Sequence, residues 1–285
     1  VSKAGGLGIL GCLHRDPEEI AHEVELIRAA TGRPFGINLV LGQCSPEQWR
    51  AAFAARPPVL STSWGDVAPV MDRAKEAGCL VVHQVNTVTG AKDAVRAGVD
   101  AIIAQGSEGG GHVGWVSTMA LVPQVVDVAK GIPVIAAGGI ADGRGIAAAM
   151  ALGADGVLLG TRFLATPEAP MDEGWKAALV GSPAELAVTS DVSDLIWDMN
   201  WPGATCRILR NTLVERWEGR VDELVANRIA IQSGILQARE QGEIAEMLLY
   251  AGQGMGTIHE IKPAGELVGD LWRETLAVLS RLSMA

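Results

Sequence analysis

Four times in this chain a helical stretch closes on alanine or leucine, passes through glycine and runs at once into a short apolar strand. The junctions are Ala4-Gly5-Gly6-Leu7-Gly8-Ile9-Leu10, Ala77-Gly78-Cys79-Leu80-Val81-Val82, Ala97-Gly98-Val99-Asp100-Ala101-Ile102-Ile103 and Leu152-Gly153-Ala154-Asp155-Gly156-Val157-Leu158-Leu159. A glycine just past a helix end takes the left-handed conformation that caps the last turn. An unbroken apolar run marks a strand covered on both faces, as in a parallel sheet. Further strands fit Phe35–Leu41, Val59–Ser63 and Ile132–Ala137. Helices fit Pro17–Thr31, with Asp16 as N-cap and Pro17 in the first turn, then Pro46–Ala55, Val67–Ala77, Val88–Ala97, Thr118–Lys130 and Gly143–Leu152.

Seven strands alternate with helices at spacings suited to right-handed crossovers. The opening Val1–Gly6 reads as the tail of a helix with its glycine cap, so a first strand is expected to be missing from this chain. Eight strands in all predict an α/β fold of the (β/α)8 barrel type, with the active site at the C-terminal strand ends. A doubly wound open sheet is the alternative; it is disfavoured because no Gly-x-Gly-x-x-Gly follows an early strand.

After Thr166 the alternation stops. Helical patterns at Trp175–Val180, Leu209–Arg216, Val221–Gln241 and Glu243–Tyr250 predict a helical cap over residues 167–252. The barrel then comprises residues 1–166 and 253–285, closed by an amphipathic helix over Ala264–Ser283.

The chain carries a net charge of −10 and no basic run, which argues against nucleic acid as a partner. No apolar run has the roughly 18–20 residues that span a bilayer. The four cysteines lie far apart without metal-type spacing, so no metal site and a reduced, cytoplasmic setting are expected. An anionic ligand must then be held by local backbone groups rather than by a global field.

Three strand ends offer such groups. Ala104-Gln105-Gly106-Ser107-Glu108-Gly109-Gly110-Gly111-His112-Val113-Gly114 puts one histidine on a glycine-rich loop behind a buried strand. An imidazole moves protons near neutral pH, and bare glycine backbone lets a flat or anionic ligand approach closely. Ala136-Ala137-Gly138-Gly139-Ile140-Ala141-Asp142-Gly143-Arg144 and Leu159-Gly160-Thr161-Arg162-Phe163 each follow a strand and open a helix. Two neighbouring helix N-termini form a phosphate site, in the position where many barrels hold one; ordinary turn chemistry accounts for either stretch singly. Asn38 and Gln105 are amides on otherwise apolar strands, facing either a ligand or the neighbouring backbone. Of His83 and Gln84, one faces inward by alternation. Cys12, His14, His22 and His259 read as structural or solvated.

These motifs, with Pro34-Phe35-Gly36-Ile37-Asn38-Leu39 and Ala251-Gly252-Gln253-Gly254, resemble the nitronate monooxygenase (2-nitropropane dioxygenase-like) family. Its members are FMN-dependent barrels, with flavin-dependent enoyl reductases as relatives. The resemblance implies His112 as catalytic base and Gly138, Gly139, Gly160 and Thr161 as the FMN phosphate site. It sets Asn38, Gln84, Gln105, Gly106 and Gly111 around the rest of the flavin, and Gln253 near substrate. The implied reaction converts alkyl nitronates and O2 to carbonyl compounds and nitrite in the cytoplasm, and the resemblance allows a homodimer.

Three departures stand out. The family's first strand is absent, Gln84 stands where many relatives carry Lys, and Gly109 replaces the commoner Ala. A cation near the flavin would stabilise its anionic reduced ring, so the Gln tunes redox chemistry differently. The extra glycine suggests room for a bulky substrate. An enoyl or acyl thioester reductase or dehydrogenase uses the same parts, and a flavin-binding barrel without turnover is the reading from another class.

Overall fold

The computed structural model describes residues 1–283. Seven parallel strands form one curled sheet in the order β1 (Gly8–Gly11), β2 (Phe35–Val40), β3 (Val59–Ser63), β4 (Leu80–Val85), β5 (Ala101–Gln105), β7 (Val134–Ala137) and β8 (Gly156–Leu158). Between them run α1 (Pro17–Ala30), α2 (Pro46–Ala54), α3 (Ala68–Ala77), α4 (Val88–Ala97), α5 (Thr118–Ala129) and α6 (Gly143–Ala151). The run of strand, helix and neighbouring parallel strand is that of a (β/α)8 barrel. β1 and β8 form the edges of the sheet and line one apolar cavity of about 720 Å3, flanked by Leu271 and Trp272 of the last helix.

Local chemistry places the helix ends where the pattern puts them. Asp16 accepts from the Glu19 backbone while the Glu19 carboxylate accepts from Asp16 N–H, and Ser45 and Gln48 repeat this capping box on α2. Such a cap contributes about 1 kcal/mol. Gly78 and Gly98 close α3 and α4 at φ 74 and 81.

Side-chain alternation along the strands divides the sheet into two packing layers. Ile37, Leu39, Leu60, Val81, Ile102, Ala104, Val134 and Ala136 point outward into the helices, in one core with Ile20, Val24, Leu121 and Val125. The inner face changes character along the strands. Val59, Val82 and Ile103 fill its lower end. Ser61, Ser63, Gln84 and Gln105 follow on the same face towards the C-terminal ends. The barrel interior is therefore apolar below and hydrogen-bonding above.

Over residues 167–252 the structure departs from the all-helical expectation. α7 (Thr161–Leu164) and α8 (Glu173–Leu179) lead into β9 (Ala187–Ser190), α9 (Val192–Trp197) and β10 (Thr205–Leu209). α10 (Thr212–Trp217) and α11 (Val221–Gln241) complete this part, and α12 (Ala264–Ser283) returns to the barrel. Leu209 is therefore strand rather than helix, and Glu243–Tyr250 holds only one short 3-10 turn, at Ile244–Glu246. The histidine loop is itself the strand β6 (Gly111–Val113), so β6, β10 and β9 make a three-stranded antiparallel sheet. One strand of that sheet comes from the barrel portion and two from residues 167–252.

Candidate active site

A cavity of about 420 Å3 opens at the C-terminal strand ends. Its floor is built from amides. Asn38 Nδ2 donates to Ser61 Oγ at 3.1 Å, while Gln84 Nε2 and Asn86 Nδ2 both donate to Gln105 Oε1, at 2.9 and 2.7 Å. Among the described residues Asn38 Oδ1, Gln84 Oε1 and Asn86 Oδ1 then accept no hydrogen bond, and Gln105 Nε2 donates none. An amide set fixed by its own cross-links presents a definite donor and acceptor pattern to a polar ring system. His83, on the opposite face of β4, is buried against Thr62 Oγ1 at 2.8 Å. Burial pushes its imidazole down to about 4, so it stays neutral there. Strand alternation thus sends Gln84 inward and His83 outward.

The rim carries the anion-type turns. Gly138 and Gly139 sit at φ 102 and 70, and both line the cavity with Gly160 and Thr161. Among the described residues the N–H groups of Gly139, Gly160 and Thr161 meet no protein acceptor. The helix-terminus reading of the first turn needs correction. The α6 N-terminus is already satisfied, since Asp142 accepts from Arg144 and Gly145 N–H and Glu274 accepts from Gly143 N–H. The donors left open at Gly138-Gly139 are therefore those of the turn itself, ahead of the helix. Thr161 Oγ1 accepts from Gly252 N–H at 2.9 Å, which ties the rim to the 250s loop.

Gly106 does not line the cavity. A Cβ there would lie 2.1 Å from Thr118 Oγ1, so this glycine lets α5 pack against the end of β5. Gly110 is equally confined, a Cβ falling 2.6 Å from Gly252 N. Gly109 gives no spare room for a bulky substrate, because a Cβ would stand 3.2 Å from both Gln105 Nε2 and Val113 Cγ1. Gly111 does line the cavity, at φ 73. Gln253 is not on the cavity wall; its backbone N–H donates to Glu108 O, and its neighbours Gly252 and Gly254 form the wall instead.

His112 stands beside the cavity, immediately after Gly111 and opposite Cys206 across the β6–β10 pair. Its Nε2 lies 2.8 Å from Asp194 Oδ1, and its ring stacks on Trp201 at 3.8 Å with planes 15° apart. The sequence reading missed both partners, which come from a stretch with no strand-like alternation. Cys206 Sγ completes a group of three ligand-type atoms within 4.8 Å of one another. Burial pushes its thiol up to about 12, so it backs the pair as a neutral S–H. Tyr250, also missed, lines the cavity and shares a 2.9 Å hydrogen bond with Ser193, the residue before Asp194. Trp201 Nε1 is buried with no acceptor among the described residues. The site thus pairs an amide floor and a bare-amide rim with one imidazole held by the cap.

The family model for nitronate monooxygenase matches residues 49–274, which include β3 to β10 and most of this site. The (3aS,4S,5R,7aS)-5-hydroxy-7a-methyl-1-oxo-octahydro-1H-indene-4-carboxyl-CoA dehydrogenase of Mycobacterium tuberculosis is 37% identical over 222 residues. That match covers 76% of this chain and 60% of the relative's length. The structure of FabK from Thermotoga maritima is similar with a TM-score of 0.88 at 34% identity, over 99% of this chain and 89% of that one. The structure of nitroalkane oxidase from Streptomyces ansochromogenes gives 0.81 at 30% identity, over 99% and 92%. With the glycine turns and the histidine strand inside the region the family model matches, and the fold shared along the chain, the chain belongs to the nitronate monooxygenase family of oxidoreductases.

Proposed function

We propose that this chain is an FMN-dependent oxidoreductase acting on carbon acids, with alkyl nitronates as its substrates and O2 as electron acceptor. The observation that carries this reading is the free N–H rim at Gly139, Gly160 and Thr161, next to an imidazole anchored outside the cavity. The rim fits a phosphate: three unsatisfied donors surround open space, and a Cβ at Gly160 would meet nothing within 4 Å. The floor fits a flat ring with polar edges, through Asn38 Oδ1, Gln84 Oε1 and Gln105 Nε2. When bound, the flavin supplies electron acceptance and delivery to dioxygen.

The protein's own groups do the rest. From a neutral carbon acid His112 takes the proton on the carbon alpha to the activating group; a nitronate arrives already deprotonated, and there the imidazole holds the anion. Trp201 stacks on the imidazole at 3.8 Å and holds its plane. The three-stranded sheet of β6, β10 and β9 holds His112 beside the cavity, next to the Gly111 that lines it. Products from a nitronate would be a carbonyl compound and nitrite.

A specific observation favours a second reading. The 37% identical relative is named a CoA dehydrogenase, and an acyl thioester is also acidic at its alpha carbon. Anaerobic mixing of purified, flavin-loaded protein separates the two. Bleaching by propionate 3-nitronate supports the first reading; bleaching only by an acyl-CoA or NAD(P)H replaces it with the second. Protein that binds flavin and bleaches with none of these would return the chain to a binding barrel without turnover.

A further inference from the structure

We propose that Asp194 is the positioning residue that makes Nδ1 of His112 the basic nitrogen of the site. This rests on the reading of His112 as base and names what that reading leaves open, namely which ring nitrogen works and what holds it. Asp194 Oδ1 stands 2.8 Å from His112 Nε2 although the two residues are 82 positions apart. Both side chains are largely withdrawn from water, 12% and 18% exposed, so solvent competes weakly for the bond. Among the described residues Asp194 has no lysine or arginine partner; its ion-pair partner is His112 alone.

The geometry leaves the imidazole little freedom. Trp201 covers one face at 3.8 Å, and β6 fixes the backbone opposite Cys206. On α9, Ser193 is tied to Tyr250 by a 2.9 Å hydrogen bond, which fixes the helix that carries Asp194. The other titratable groups packed here, Cys206 and Tyr250, are both pushed up to about 12 by burial and stay neutral. One carboxylate therefore faces one imidazole, and an ionised carboxylate only accepts. Nε2 must carry the hydrogen, which leaves the Nδ1 lone pair free.

The chemical consequence follows the logic of an acid-oriented histidine base. The substrate Cα–H bond breaks, its electron pair stays on carbon and delocalises into the nitro or thioester group, and the proton ends on Nδ1. The imidazolium so formed is balanced by the carboxylate at Nε2. A substrate that is already an anion needs no such step, and this asymmetry gives the test.

Flavin-loaded wild type, Asp194→Asn, Asp194→Glu and His112→Asn are mixed anaerobically with neutral nitroethane and, separately, with its preformed nitronate. Asp194→Asn should slow flavin reduction by the neutral nitroalkane by about 100-fold while changing the nitronate rate less than about 3-fold. Asp194→Glu should recover part of the loss. Equal slowing with both substrates, or none, overturns the positioning role. His112→Asn with undiminished rates on nitroethane overturns the base reading instead. If His112→Asn is slow and Asp194→Asn is not, only the positioning role fails. A second readout is independent of substrate. The 15N spectrum of His112, assigned by difference from His112→Asn, should show the hydrogen on Nε2 in the wild type and a shift towards Nδ1 in Asp194→Asn. A wild-type hydrogen on Nδ1 would refute the proposal.

Discussion

His112→Ala removes one imidazole from a wall otherwise built of backbone and amides. Turnover of a neutral nitroalkane should fall by roughly 10²–10⁴-fold while the flavin spectrum is spared, because the proposed phosphate rim and the amide floor do not depend on it. Parallel assays of activity and flavin content check this, and unchanged turnover would reject the role. The second buried histidine tests a different property. Burial holds His83 near 4 in the folded protein against 6.5 in the open chain. The unfolded chain therefore takes the proton first as pH falls, so His83 favours folding above pH 6.5 and loses that contribution between 6.5 and about 4. The full effect is about 3 kcal/mol, of which about 2 kcal/mol is already lost at pH 5. Urea midpoints at pH 7 and 5 should fall further apart in wild type than in His83→Gln; parallel curves would contradict this. Asn38, Gln84, Gln105 and His112 were legible because each is a polar side chain in an apolar or glycine-rich strand context. Asp194, Trp201 and Tyr250 were not, since nothing local distinguishes them and their meaning arises from contacts made across the fold.

Strand-end glycines divide into those that let elements touch and those that face open space. Gly110→Ala should destabilise the protein by about 1–3 kcal/mol, because its Cβ would press on the Gly252 backbone, which cannot yield like a side chain. Gly160→Ala should leave stability nearly unchanged and weaken flavin binding, its Cβ entering open space at the rim. Thermal melts and flavin titrations of the two variants check the contrast; the reverse pattern would place the rim elsewhere. The barrel's helices and strands were legible because each carries its own signal, a capping box, a C-terminal glycine or an unbroken apolar run. The cap sheet was not. β6, β9 and β10 are 3 to 5 residues long, too short to show a period, and β6 finds its partner β10 about 90 positions along the chain. Such pairing is stabilised by tertiary contacts that no local window contains.

The whole molecule bears a charge of −10, so its long-range field opposes an anionic ligand, and binding must rest on short-range donors. That requirement joins the two scales above: on the proposed function residues shape a floor for the ring, and turns supply bare N–H groups at its edge. The most direct test is calorimetric titration of flavin-stripped protein with FMN and with riboflavin, which differ only by the phosphate. Hydrogen bonds to a charged group are each worth about 1.5–3 kcal/mol. FMN should therefore bind with one-to-one stoichiometry and at least about 100-fold more tightly than riboflavin. Equal affinity for the two, or no saturable binding of either, would contradict the account.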